Sequence, residues 1–232
     1  MATVILVRHG RSTSNSDGVL AGRTPGIALD ETGEQQAKAV AERVAAVPVA
    51  ALVSSPLQRC RETAQAISAQ LKNSVAVHAD DRLTECGYGD WTGQPLKTLA
   101  KDKLWKVVQA HPSGATFPNG ESLSHMQARG VAAVREWDSK VTAEHGARAI
   151  WVAVSHGDLI KSLLADALGM HLDTFQRIVV DPASVSVVSY TPLRPFVLRL
   201  NDQTDLSSLA PKRGRRRKKA ASSDAPVGGG AG

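Results

Sequence analysis

The chain has 232 residues, 42% of them hydrophobic and 4% aromatic, which suits one globular core filled by aliphatic and Ala-rich layers and argues against disorder. Its formal net charge of +6 is local: residues 212–219 hold seven Lys and Arg, while residues 1–211 balance at 21 basic and 21 acidic side chains, which argues against a fold-wide nucleic-acid face. No apolar run is long enough to span a membrane, the apolar run near the N-terminus is too short for a signal peptide, and Cys60 and Cys86 make no disulfide framework. The expected setting is therefore the cytoplasm, with both thiols free.

In chain order, residues 3–7 form a short β-branched apolar run that reads as a buried strand. Residues 31–47 repeat apolar side chains at helical spacing and stop at Pro48. Residues 50–54 read as a second buried strand, and a helix is expected from Pro56 to about residue 71, with the proline in the first turn, where a missing N–H costs least. Residues 75–77 read as a third short strand. The stretch 80–120 is rich in Gly and Pro and reads as loop, with a short helix over 97–110. A long amphipathic helix follows over 123–144, then a strand over 150–154 and a helix over 158–168. Residues 185–190 and 196–200 finish the sheet as a hairpin through Pro192 and Pro195. Strands alternating with helices of these lengths predict an α/β sandwich with a mainly parallel sheet.

In such a sheet ligands bind beyond the carboxyl ends of the strands. Three polar segments directly follow apolar strands: Arg8-His9-Gly10, Ser54-Ser55-Pro56 and Ser155-His156-Gly157. All three are expected at one rim. Arg59 lies one helical turn after Ser55-Pro56, Arg61 follows two residues later, and Glu85 sits in a glycine-bearing loop. Guanidiniums match phosphate oxygens as forks, Gly10 and Gly157 are expected to let backbone approach a ligand closely, and an imidazole can accept a phosphoryl group. Taken singly, each residue has a plainer reading, such as a hydrogen-bonded structural histidine or a solvated arginine. Their convergence from three strand ends points to an anion site built from side-chain charge, with no residue cluster of metal-binding spacing beside it.

Four motifs then carry a resemblance. They are Arg8-His9-Gly10-Arg11-Ser12, Ser54-Ser55-Pro56-Leu57-Gln58-Arg59-Cys60-Arg61-Glu62-Thr63-Ala64, Leu83-Thr84-Glu85 with Gly89-Asp90-Trp91-Thr92-Gly93, and Ser155-His156-Gly157-Asp158. In this order and spacing, over about residues 3–200, the chain resembles the histidine phosphatase superfamily, in its phosphoglycerate-mutase-like branch. The resemblance implies a three-layer αβα sandwich over residues 1–205, no cofactor or obligatory metal, and a phosphohistidine intermediate. It makes His9 the nucleophile, Arg8, Arg59 and His156 the phosphate pocket, and Glu85 the proton donor to the leaving group. Asn15 matches a polar position that contacts phosphate in this branch, and Ser12 keeps the hydroxyl of a position where relatives commonly have Thr. Ser122, after Pro118-Asn119-Gly120-Glu121, matches a family segment that starts a helix near the pocket, and it equally reads as an ordinary helix cap. In chemical terms His9 must be neutral at its attacking nitrogen, His156 serves best as a hydrogen-bond donor, neutral or charged, and Glu85 must be protonated when the ester oxygen leaves.

Glycolytic mutases of this family carry a longer insertion after the Glu motif and a Trp-Asn pair after Arg-His-Gly. Here Ser14-Asn15-Ser16 lacks the Trp, and 32 residues separate Glu85 from Pro118. The expected activity is hydrolysis of small phosphate monoesters, with a phosphomutase as the alternative. Leu99, Leu104, Trp105 and the lysines among residues 99–106 are expected to shape a lid over the pocket. Residues 206–232 are expected to form a disordered tail, basic at first and then rich in Gly, Ala and Ser. A second alternative is therefore a binding protein acting through residues 212–219, whose contact with nucleic acid or an anionic surface would be weak and salt-dependent. An oligomer is compatible with the sequence.

Overall fold

The computed structural model describes residues 1–203, so the basic segment 212–219 and the boundary expected near residue 205 lie outside the described residues. The elements are β1 (Thr3–Arg8), α1 (Thr13–Asp17), α2 (Glu31–Val44), β2 (Val49–Ser54), α3 (Gln58–Gln70), β3 (Val77–Ala79), α4 (Leu96–Leu99), α5 (Lys103–Ala110), α6 (Leu123–His145), β4 (Ile150–Ser155), α7 (Gly157–Ala167), β5 (Val185–Ser189) and β6 (Phe196–Asp202). Among the described residues the strands form one sheet in the order β3-β2-β4-β1-β5-β6. β1, β2, β3 and β4 pair in parallel, and β5 runs antiparallel to both β1 and β6. Among the described residues no helix is long and apolar enough to cross a membrane.

The apolar strands are buried on both faces, and their side chains alternate between two cores. Ile5, Val7, Leu52, Val152 and Val154 pack against Val40, Ala41 and Val44 of α2 and against Cys60, Ala64 and Ile67 of α3. Val4, Leu6, Val53, Trp151 and Ala153 face the other way, toward Met126, Ala133 and Val134 of α6 and Leu159, Ile160 and Leu163 of α7. The result is an α/β fold of three layers. Because β1, β2 and β4 run parallel in near-matched register, with Arg8 beside Ser155 and Ser54 beside Val154, their carboxyl ends open on one rim.

Several element bounds differ from the sequence expectation. The α2 helix ends at Val44, and a turn carries the chain through Val47 to Pro48. The α3 helix starts at Gln58, because Ser55 still donates its N–H to Val154 and Leu57 has extended backbone, which leaves Pro56 outside the helix. The β3 strand begins at Val77, where its backbone pairs with Leu52; it is an exposed edge strand, so hydrophobicity does not mark it. The expected helix 97–110 is two helices, parted where the Asp102 side chain caps Leu104 N–H. The α1 helix was not expected from hydrophobic periodicity. It is set by a capping box between Ser12 and Asn15 and closed by Gly18 in the left-handed region.

Gly10 is needed for a different approach from the one expected. A Cβ there would lie 2.4 Å from the Gly33 carbonyl oxygen, and a Cβ on Gly33 would lie 1.9 Å from the Arg11 carbonyl oxygen. Two backbones touch here, and the start of α2 is thereby seated against the loop that carries His9.

Candidate active site

His9 follows the last residue of β1 and is held by its main chain, which donates N–H to the Ser155 carbonyl of β4 at 3.0 Å. Its Nδ1 lies 2.6 Å from the Gly10 carbonyl, which can only accept, so the ring proton resides on Nδ1. That leaves Nε2 with the lone pair, which accepts a hydrogen bond from Arg59 Nε at 3.1 Å. The ring stays neutral: burial, then Arg59 and Arg8, hold its pKa well below the ordinary histidine value of 6.5.

Arg59 rises from the first turn of α3. Its Nη2 donates to the Gly22 carbonyl at 2.7 Å and to His156 Nδ1 at 3.1 Å. Since Arg59 can only donate, His156 Nδ1 must accept, and His156 Nε2–H then donates to Ser55 Oγ at 2.8 Å. Burial, followed by Arg59 and the neighbouring His9, keeps this second imidazole neutral as well, so it is a donor without charge. The two rings meet edge to face at 5.2 Å. Arg8 donates Nη1 to the Val180 carbonyl at 2.7 Å. Arg8 Nε and Arg59 Nη1 are buried without a hydrogen-bond partner among the described residues, a cost of about 1–3 kcal/mol each.

Glu85 lies between two 3₁₀ turns, Asp81–Leu83 and Gly89–Trp91. Its Oε1 accepts the Cys86 N–H at 3.0 Å, and its Oε2 faces the Asp158 N–H at the start of α7 at 3.4 Å. Burial and the Asp158 carboxylate push its pKa up to about 7. Asp158 accepts the Tyr88 hydroxyl at 2.7 Å and lies 3.6 Å from Lys161 Nζ. A small cleft is lined by His9, Asn15, Gly22, Arg59, Glu85 and Tyr88, among others.

The fold thus gathers Arg8, His9, Arg59, Glu85 and His156, all nearly fully buried, from four separate segments. Asn15 lines the cleft, but its Oδ1 is committed to the Ser12 N–H and hydroxyl, and Ser12 itself does not line the cleft. Arg61 points out to solvent. Ser122 caps α6 by accepting His125 N–H at 3.1 Å. Leu99 and Trp105 form no lid: both are buried, with Trp105 stacked on Trp91, and of α4 and α5 only Leu96 lines the cleft. Tyr88 and Asp158 were not singled out from the sequence, although both stand inside the quoted motif segments or between them. The Gly22 carbonyl had no signal there at all.

Comparison with known proteins places this geometry. The histidine phosphatase superfamily (branch 1) profile matches residues 4–203. Phosphoserine phosphatase 1 of Hydrogenobacter thermophilus is 31% identical over 207 residues, covering 87% of this chain and 92% of that protein. A probable phosphoglycerate mutase of Yersinia enterocolitica is 30% identical over 192 residues, 82% of this chain and 86% of its own. Among solved structures, YhfR of Bacillus stearothermophilus superposes with a TM-score of 0.78 at 25% identity, over 87% of this chain and 98% of that one. Phosphoserine phosphatase of Entamoeba histolytica, bound to 3-phosphoglyceric acid, superposes with a TM-score of 0.75 at 25% identity, over 88% and 98%.

Proposed function

The chain belongs to branch 1 of the histidine phosphatase superfamily, and from that premise we propose that it hydrolyses phosphate monoesters of small metabolites through a phosphohistidine on His9. The observation that carries this reading is the fixed tautomer of His9: Nδ1–H is held by Gly10, and the Nε2 lone pair sits 3.1 Å from the Arg59 guanidinium that would hold the phosphate. Nε2 attacks phosphorus and the P–O ester bond breaks. The leaving oxygen takes the Glu85 proton, which a pKa of about 7 keeps available near neutral pH. Water then attacks the phosphohistidine and gives its proton to the Glu85 carboxylate. Phosphate departs, and both groups return to their starting states.

Arg8 and Arg59 supply positive charge to the phosphoryl oxygens, and His156 adds a neutral polar contact. Removing one such preorganised donor lowers the rate by roughly 10²–10³. The relatives' names suggest the substrate class, since phosphoserine and glucosyl-3-phosphoglycerate are phosphate esters that also carry a carboxylate.

A phosphomutase is the second reading, favoured by the probable mutases among the relatives. The two differ in the acceptor, water or a second hydroxyl. The short connection from Glu85 to Pro118 supports hydrolysis. The test is a panel of phosphate esters, with free phosphate and isomerised ester measured separately, alongside His9→Ala. Wild type should release phosphate and trap acid-labile phosphate on protein, and His9→Ala should do neither. Turnover that survives in His9→Ala overturns the covalent route, and isomer without phosphate overturns hydrolysis in favour of the mutase.

A further inference from the structure

The proposed proton donor lies on irregular backbone, where catalysis tolerates little looseness: a shift of about 1 Å in a reacting group can cost roughly 100-fold in rate. Something must hold this loop. The Glu85 main-chain carbonyl accepts two guanidiniums, Arg23 Nε at 2.9 Å and Arg129 Nη2 at 3.0 Å. Arg129 also donates Nη1 to the Arg82 carbonyl at 2.6 Å.

Both arginines converge on Glu121. Arg129 reaches it through Nε and Nη2 at 2.7 and 3.0 Å, and Arg23 through Nη2 at 2.7 Å. Glu121 in turn accepts the Gly87 N–H at 3.1 Å, and its own N–H donates to the Gly87 carbonyl at 2.6 Å. Its side chain is only 7% exposed. Burial alone would raise its pKa, but the bonds from Arg129 and Gly87 outweigh that and keep it ionised.

The backbone is therefore pinned on both sides of Glu85. The pinning also spans the cleft, because Gly22, next to Arg23, accepts the Arg59 Nη2–H at 2.7 Å. Adjacent residues thus tie the phosphate-binding arginine and the donor loop to one strap. Arg23, Arg129 and Glu121 do not themselves line the cleft where His9 and Glu85 meet.

We propose that Arg129, Glu121 and Arg23 are positioning residues that set where the Glu85 carboxyl meets the leaving oxygen. This rests on Glu85 being the proton donor. The experiment compares kcat on an alkyl phosphate, whose leaving group needs a proton, with kcat on nitrophenyl phosphate, whose leaving group needs little. Glu85→Gln alone should lower the alkyl-to-aryl ratio strongly. Arg129→Met should lower the same ratio by about 10-fold or more with KM little changed, and Arg129→Lys should recover part of it.

In the double variant the Arg129→Met effect should largely vanish, because a residue acting through Glu85 has nothing left to act on. Arg23→Met, a half-exposed loop substitution that spares the core, should move the ratio in the same direction, and it decides the matter if Arg129→Met does not fold. If Glu85→Gln is selective while the arginine variants slow both esters alike, or if the effects multiply fully in the double variant, the positioning role is overturned and the acid role stands. If Glu85→Gln slows both esters equally, the acid role fails and the positioning proposal falls with it.

Discussion

Replacing Glu85 with Gln should stabilise the folded protein above about pH 7 and bring no such gain at pH 4.5. In the fold, burial and Asp158 raise the carboxyl from 4.5 to about 7. Below pH 4.5 the group is protonated whether the chain is folded or not, and it contributes nothing. As pH rises from 4.5 to 7 the unfolded chain releases this proton while the folded chain keeps it, so stability falls. Above 7 both states are ionised and the full penalty is in place, about 3 kcal/mol at roughly 1.4 kcal/mol per pH unit. Gln cannot ionise and avoids that penalty, while its amide loses one acceptor toward the Asp158 N–H, a pH-independent cost of about 1 kcal/mol. Urea unfolding of both proteins at pH 4.5 and pH 8 isolates the ionisation, because the constant cost and the other titrating groups cancel in the difference. The stability gained by Glu85→Gln should be about 2–3 kcal/mol larger at pH 8 than at pH 4.5. A difference under about 0.5 kcal/mol, the scatter of ordinary surface substitutions, would show that the free enzyme does not hold Glu85 protonated near neutrality.

Proton NMR of the free protein should find the His9 and His156 rings neutral at pH 6, since both pKa values lie well below 6.5, and Arg59→Met should move both upward; titration of either near 6.5 in wild type would refute the neutral pair. Gly33→Ala should destabilise by about 1–3 kcal/mol in thermal or urea unfolding, because its Cβ would sit 1.9 Å from a backbone oxygen that no rotamer change can move; unchanged stability would mean that the seat of α2 is loose. Deleting everything after Pro211 should leave kcat on a small ester nearly unchanged and remove any salt-dependent affinity for nucleic acid or anionic lipid, since seven positive charges are concentrated there. Loss of catalysis on truncation, or binding that survives it, would count against that division.

What the sequence by itself determined is the strand ladder and the rim. Residues 3–7, 50–54 and 150–154 are short, apolar and uninterrupted because both faces of a central parallel strand are buried, and that burial leaves a local signal. Once those strands are parallel, His9, Ser55 and His156 must emerge on one edge, so the heart of the site was legible before any tertiary contact was known. Weakly marked elements escaped for the converse reason. The edge strand β3 is exposed, and α1 is a five-residue helix made by side-chain caps rather than by an apolar face.

Only the tertiary structure decided the rest. The clamp on Glu85 joins residues 62 and 44 positions away in the chain, and its arginines meet a carboxylate 98 residues from Arg23. No local spacing encodes such contacts. The protonation of the site is likewise a property of the assembled interior, where water is removed, Arg59 touches both imidazoles at 3.1 Å, and Asp158 stands beside Glu85. The neutrality of His156 and the raised carboxyl of Glu85 follow from that low-dielectric crowding, which a one-dimensional string of residues does not contain.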